Sequence, residues 1–210
     1  VTVQLGNEVN SIATYAFSNC TKIKEVVIPD NVRIIGAYAF NKCTSVESFT
    51  CGKSVMSIGE SALQDCTTLR TLNINEGTQV INNNAFNNCI NVEKVNYNGT
   101  ADTWVSIKFM NASANPMQLN KAKAFFNGQS VEHVVINEAT YINAYAFYKC
   151  SSLRSVTLGD NVTHIDDYAF YDCNSLTKAE LNCTIDPYAF AECDYLSSVT
   201  AGVKMTSIGN

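Results

Sequence analysis

Proline and glycine are scarce in this chain, 3 and 10 of 210 residues, and histidine and tryptophan are scarcer, at two and one. Two imidazoles leave general acid–base catalysis little to build on. Basic runs are missing too: 14 basic against 19 acidic residues give a net charge of -5. Nothing here neutralises a phosphate backbone or an anionic lipid surface, which excludes nucleic acid as a partner. No apolar run approaches the roughly eighteen residues of a bilayer span, so direct membrane insertion is not expected. The opening VTVQLGNEVN has neither the basic nor the apolar region of a secretory signal. Walker, H-E-x-x-H, G-x-S-x-G and EF-hand patterns are all absent, and no C-x-x-C pair offers a zinc knot. No enzyme, cofactor or metal is therefore expected.

What the chain does have is apolar mass and asparagine. Apolar residues make up 46%, enough for a core and too many for a disordered chain. The 25 asparagines take over turn duty from glycine, because Asn tolerates left-handed backbone and bonds its own main chain.

The nine cysteines are an odd number, and their spacing carries more than their count. Cys20, Cys43, Cys66 and Cys89 lie 23 residues apart, as do Cys150 and Cys173, a period that marks a solenoid. Ala16-Phe17, Ala39-Phe40, Ala62-Leu63, Ala85-Phe86, Ala146-Phe147, Ala169-Phe170 and Ala189-Phe190 each stand four and three residues before a cysteine. A branched aliphatic follows at the third position after it: Ile23, Val46, Leu69, Val92, Leu153, Leu176 or Leu196. The unit reads C-x-x-L-x-x-L-x-L, a turn, a buried aliphatic (Ile35, Ile58, Ile81, Ile165, Ile208), then Ala-Phe. In Glu25-Val26-Val27-Ile28 the apolar residues alternate with strand period, one face dry and one wet. The Ala-Phe segment is too short for a regular helix and is expected to form one helical or 3-10 turn. A coil of this size cannot bury its own apolar face, so coils must stack, about 4.8 Å apart, with phenylalanines in columns.

The run Ile23, Val26, Ile28, Ile35-Gly36 and Ala39-Phe40-Asn41-Lys42-Cys43 resembles the BspA-like, or treponemal, leucine-rich repeats. That resemblance implies an α/β repeat solenoid, a right-handed superhelix with a parallel β-sheet on its concave side and short or helical turns on the other faces. It also implies a secreted or cell-surface microbial protein that binds a protein or glycan ligand on host or neighbouring cells. Both chain ends fall inside repeats, so the expectation is a monomeric stretch of a longer array.

From Cys89 to Cys150 is 61 residues, which is not a multiple of 23. The expected division is a first block of coils over 1–97, a non-repeat island over 98–130 and a second block over 131–210. In the island, Thr100 caps a short helix that puts Trp104 and Ile107 on one face, and Asn127-Gly128 signals a hairpin feeding back into the sheet. Its aromatics, Trp104, Phe109 and Phe126 foremost, are either an exposed anchor patch or a local core sealing a seam.

The wet strand face is the default recognition surface. One row reads Glu25, Ser48, Thr71, Lys94, His133, Ser155, Lys178, Ser198; the other reads Val27, Thr50, Asn73, Asn96, Val135, Thr157, Glu180, Thr200. Glu25, Thr71, Asn73, Lys94, Asn96, His133, Thr157, Lys178 and Glu180 are the candidate contacts, and the competing reading is solvent-facing filler. The ladder cysteines are expected as free, buried wedges, Cys183 in a shortened turn as an exposed thiol, and neither His133 nor His164 has a partner set by the repeat.

Overall fold

The computed structural model describes residues 2, 3, 5–119, 122–205 and 207, so Ile208 lies outside the described residues. The chain winds into a parallel β-solenoid of about nine turns. Among the described residues most coils contribute one strand to a long sheet and a two-residue strand to a short one, and the two kinds stack into separate sheets. The first long sheet pairs Thr2–Val3, Glu25–Val27, Ser48–Thr50, Thr71–Asn75, Lys94–Asn98 and Lys123–Phe126 in parallel, and Gln129–Ser130 closes its edge antiparallel. The second contains His133–Ile136, Ser155–Leu158, Lys178–Leu181 and Ser198–Ala201. The short sheets run alongside: Ser11–Ile12, Ile34–Ile35, Ser57–Ile58, Val80–Ile81 and Lys108–Phe109, then Tyr141–Ile142, His164–Ile165 and Thr184–Ile185.

The strand alternation turns one side chain in two inward. Val26, Phe49, Leu72 and Val95 meet in register and are all buried, as are Ile35, Ile58 and Ile81 across the core. Coils pass so close at one corner that a Cβ on Gly52 would sit 2.1 Å from the Pro29 carbonyl oxygen. Only glycine fits there.

The helical share is small. Among the described residues it amounts to the helix Ala101–Val105 and two 3-10 turns, Ala112–Ala114 and Pro116–Gln118. The α/β expectation and the helical Ala-Phe turn are thereby corrected, and the cause is local backbone. Tyr15 and Asn19 bracket Ala16-Phe17 with φ of 59° and 61°, and Tyr38 with Lys42, Tyr145 with Lys149 and Tyr168 with Asp172 repeat the pair. A left-handed residue cannot propagate a right-handed helix. Instead Ala16, Ser18 and Cys20 donate their amides three residues back, while Tyr15, Phe17 and Asn19 donate to Ala37, Ala39 and Asn41 of the next coil. The inter-coil ladder thus continues around the corner and delivers each phenylalanine to the interior. Phe17 stacks on Phe40 at 5.1 Å, Phe147 on Phe170 at 5.1 Å and Phe170 on Phe190 at 4.8 Å. The spacing of the rings is that of the strands.

Segment 98–130 carries a lengthened coil of its own. Lys123 pairs with Lys94, an offset of 123 − 94 = 29 residues, and Lys108–Phe109 pairs with Val80–Ile81. The extra length is the helix, whose Thr100 cap forms a reciprocal capping box with Thr103. Asn127 and Gly128, at φ of 46° and 78°, make the tight hairpin. Where the two long sheets part, the helix takes the place of a preceding coil. Asp102 Oδ1 accepts the backbone N–H groups of Asn137, Glu138 and Ala139 at 2.9, 2.7 and 2.9 Å, and the Asn143 amide donates to the Val105 carbonyl. The short coil near the far end keeps its register in both sheets, Lys178 opposite Ser198 and His164 opposite Thr184.

Candidate functional site

On the outer face of the long sheets the register matches the two rows read from the repeat, with one interruption. Glu25, Ser48, Thr71 and Lys94 stand side by side, as do His133, Ser155, Lys178 and Ser198. Lys94 and His133 are not neighbours, however. Lys123 and Phe125 of the lengthened coil stand beside Lys94 and Asn96 on the last parallel strand of the first sheet. The signal for them was present in Lys123-Ala124-Phe125-Phe126, which alternates as Lys94-Val95-Asn96-Tyr97 does; the assumption that the repeat lapses there concealed it.

The second row is a hydrogen-bonded ladder. Asn96 Nδ2 donates to Asn73 Oδ1 at 2.7 Å, and Asn73 Nδ2 to Thr50 Oγ1 at 2.8 Å. Thr157 donates to Glu180 at 3.3 Å, and Lys178 pairs with Glu180 at 2.6 Å. That lysine's hydrogen bond holds the Glu180 carboxyl below its ordinary value. Lys94 Nζ lies 4.9 Å from the centre of the Phe125 ring, a cation–π contact at the sheet's edge. Glu25 and Thr71 extend the first row on exposed and half-buried strand positions. Both histidines prove to have partners: His133 Nδ1 is 2.8 Å from Ser155 Oγ, and His164 Nε2 is 2.9 Å from Asp186 Oδ2.

The exposed-anchor expectation for the segment 98–130 is corrected by burial. Trp104 has no exposure and Phe109 only 4%, with Phe126 half-buried against them. Trp104 packs on Tyr97, Phe109 and Phe126 with centroids 5.0 to 5.4 Å apart, and its indole donates to the Ala146 carbonyl at 2.7 Å. Asn115, equally buried, donates to the same carbonyl at 2.8 Å. These residues weld two stacks together instead of facing a partner.

The ladder thiols are free, and five of them point back at the previous coil. Cys43, Cys66, Cys89, Cys173 and Cys193 donate to the carbonyls of Phe17, Phe40, Leu63, Phe147 and Phe170 at 3.1 to 3.2 Å. Burial pushes Cys43 up to about 11 and both Cys51 and Cys89 up to about 12. Cys183, expected as exposed, is buried at 2% because the shortened turn draws it into the core.

A surface that sequence reasoning missed lies at the Ala-Phe corner. Tyr145, Tyr168 and Tyr188 stack at 5.6 and 5.2 Å, and Tyr148 stacks on Tyr171 at 5.2 Å beside them. The signal was tyrosine directly before Ala-Phe in five coils, at 15, 38, 145, 168 and 188.

The family model for the BspA type leucine rich repeat region matches six copies over residues 1–115 and 121–210. A leucine rich repeat protein of T. pallidum with a crystal structure is 20% identical, 95% of this chain and 76% of that one being covered, at a TM-score of 0.45. A leucine-rich repeat protein from Bacteroides ovatus is 19% identical over 100% and 82% of the two chains, at a TM-score of 0.34. The pneumococcal vaccine antigen PcpA is 16% identical over 98% and 78%, at a TM-score of 0.39. Comparison with curated proteins finds no match.

Proposed function

Because this chain belongs to the BspA-type leucine-rich repeat family, we propose that it is a non-enzymatic recognition module that binds through the outer face of its long sheets. The observation that carries this reading is the in-register polar row Thr50, Asn73 and Asn96 on the outer face of the first long sheet, with Lys94 over Phe125 at its end. In this reading that face is the concave side of a right-handed superhelix. Its partner is a protein or a glycan on a host or neighbouring cell, engaged by many weak hydrogen bonds, with Lys94 and Phe125 as an aromatic and cationic anchor. The extracellular or cell-surface setting and the adhesive role rest on the family alone, and the chain acts as a monomer.

A passive spacer is the second reading, favoured by a specific observation: Thr50, Asn73 and Asn96 already satisfy one another, leaving fewer groups for a ligand. The test uses immobilised extracellular-matrix proteins and a panel of purified glycans, probed with wild type, Lys94→Glu and Phe125→Ala. Binding of wild type to at least one probe, reduced about tenfold or more by either substitution, is expected, since an anchor side chain contributes about 2 kcal/mol. Binding unchanged by both substitutions removes the sheet face as the site, and no binding to any probe favours the spacer.

A further inference from the structure

The second short sheet holds a cluster that the recognition reading does not use. His164 and Asp166 are two residues apart on one strand line, and so share a face. Asp166 donates its amide to Ile142 and Asp186 donates its amide to Ile165, each at 2.9 Å, so the two aspartates occupy the same register position on consecutive coils. His164 Nε2 lies 2.9 Å from Asp186 Oδ2 and 3.4 Å from Asp166 Oδ1, and the three donor atoms all fall within 4.8 Å of one another.

We propose that His164, Asp166 and Asp186 form a binding site for one first-row divalent cation, Zn2+ in the first instance. Ligands on a tetrahedral zinc, at bond lengths of about 2.0 to 2.1 Å, stand roughly 3.3 Å apart, so the donors need only small rotamer adjustments to close on an ion. One imidazole and two carboxylates are a zinc-type donor set with a fourth position left to water. The side chains are 26%, 36% and 35% exposed, open enough for an ion to enter and dry enough to strengthen its attraction.

Two further observations point the same way. At the aspartate register the other coils carry Ala13, Gly36, Gly59, Asn82, Met110 and Asn143, so the carboxylates are confined to the two coils beside His164. Like charges on directly opposed strand positions are destabilising, and among the described residues no lysine or arginine ion pair reaches either carboxylate. A divalent cation relieves that repulsion and ties two coils together. The Tyr141 ring, 5.9 Å from the imidazole, packs beside His164.

The experiment titrates ZnCl2 into chelator-treated protein by calorimetry and follows the melting temperature. Thiolates are competing zinc ligands, so the background carries Cys20→Ser and Cys193→Ser, which replace the two half-buried cysteines. One equivalent of Zn2+ with a rise in melting temperature is expected in that background. His164→Ala and the near-isosteric Asp186→Asn, each checked for a native circular dichroism spectrum, are expected to weaken binding about tenfold or more. Co2+ in place of Zn2+ is expected to give a visible d–d spectrum that disappears in the same variants. Zn2+ binding that vanishes with the two cysteines, or that persists unchanged in folded Asp186→Asn, overturns the proposal. So does a silent titration.

Discussion

Phe40 has no exposed surface; it stacks on Phe17 at 5.1 Å and meets the edge of Phe49 at 5.3 Å. Its side chain therefore couples two neighbouring coils and both walls of one coil. Phe40→Ala is expected to lose about 3 to 5 kcal/mol in urea unfolding, since the stacked backbone cannot collapse into the cavity. Exposed Val27→Ala on the opposite side of its strand is expected to stay within about 0.5 kcal/mol. The thiols make a second residue-scale prediction. Cys51 and Cys89 ionise near 9.0 when unfolded but only at about 12 when folded, so the unfolded chain gives up its protons first. The contribution of these two thiols to stability is then fully present below pH 9 and is lost as pH rises from 9 towards 12. Thermal melts between pH 8 and 11 should show that fall, with a shallower slope in Cys51→Ala. Native alkylation read by mass spectrometry should mark Cys20 and Cys193, the half-buried pair, before the other seven.

The lengthened coil makes its own prediction at the scale of elements. Its helix spans only five residues, too few to persist in isolation, and its place is fixed by Asp102 gripping three amides and by Trp104 on Ala146. Asp102→Ala is expected to cost about 1.5 to 3 kcal/mol. Hydrogen exchange should speed up at Asn137, Glu138 and Ala139 with the first long sheet untouched; uniform change across both sheets would contradict a local clasp. The elements were unevenly legible. The register of the strands, the Thr100 cap and the Asn127-Gly128 hairpin all followed from residue type and spacing. The corner did not, because a tyrosine or lysine at positive φ carries no compositional mark, and neither did Lys123–Phe126 as a strand of the first sheet.

At the scale of the whole molecule, stability in a stacked array is close to a sum of coil terms and nearest-neighbour terms. Ser198–Ala201 is exposed along its length, whereas Thr71–Asn75 sits between two long strands with its alternate residues buried. Hydrogen exchange is expected to grade accordingly, slowest in Thr71–Asn75 and fastest in Ser198–Ala201. The same one-dimensional logic separates what each level of description decided. Spacing alone determined the coil, its dry and wet faces, the phenylalanine columns and the two outer rows, because every coil repeats one local instruction and stacking can satisfy it in one register only. Whatever depends on two coils that differ was left to tertiary structure: Trp104 turned inward, Cys183 drawn into the core, Phe125 set beside Asn96, and His164 brought against Asp166 and Asp186. Those contacts arise where the chain departs from its period, and an average over repeats carries no information about them.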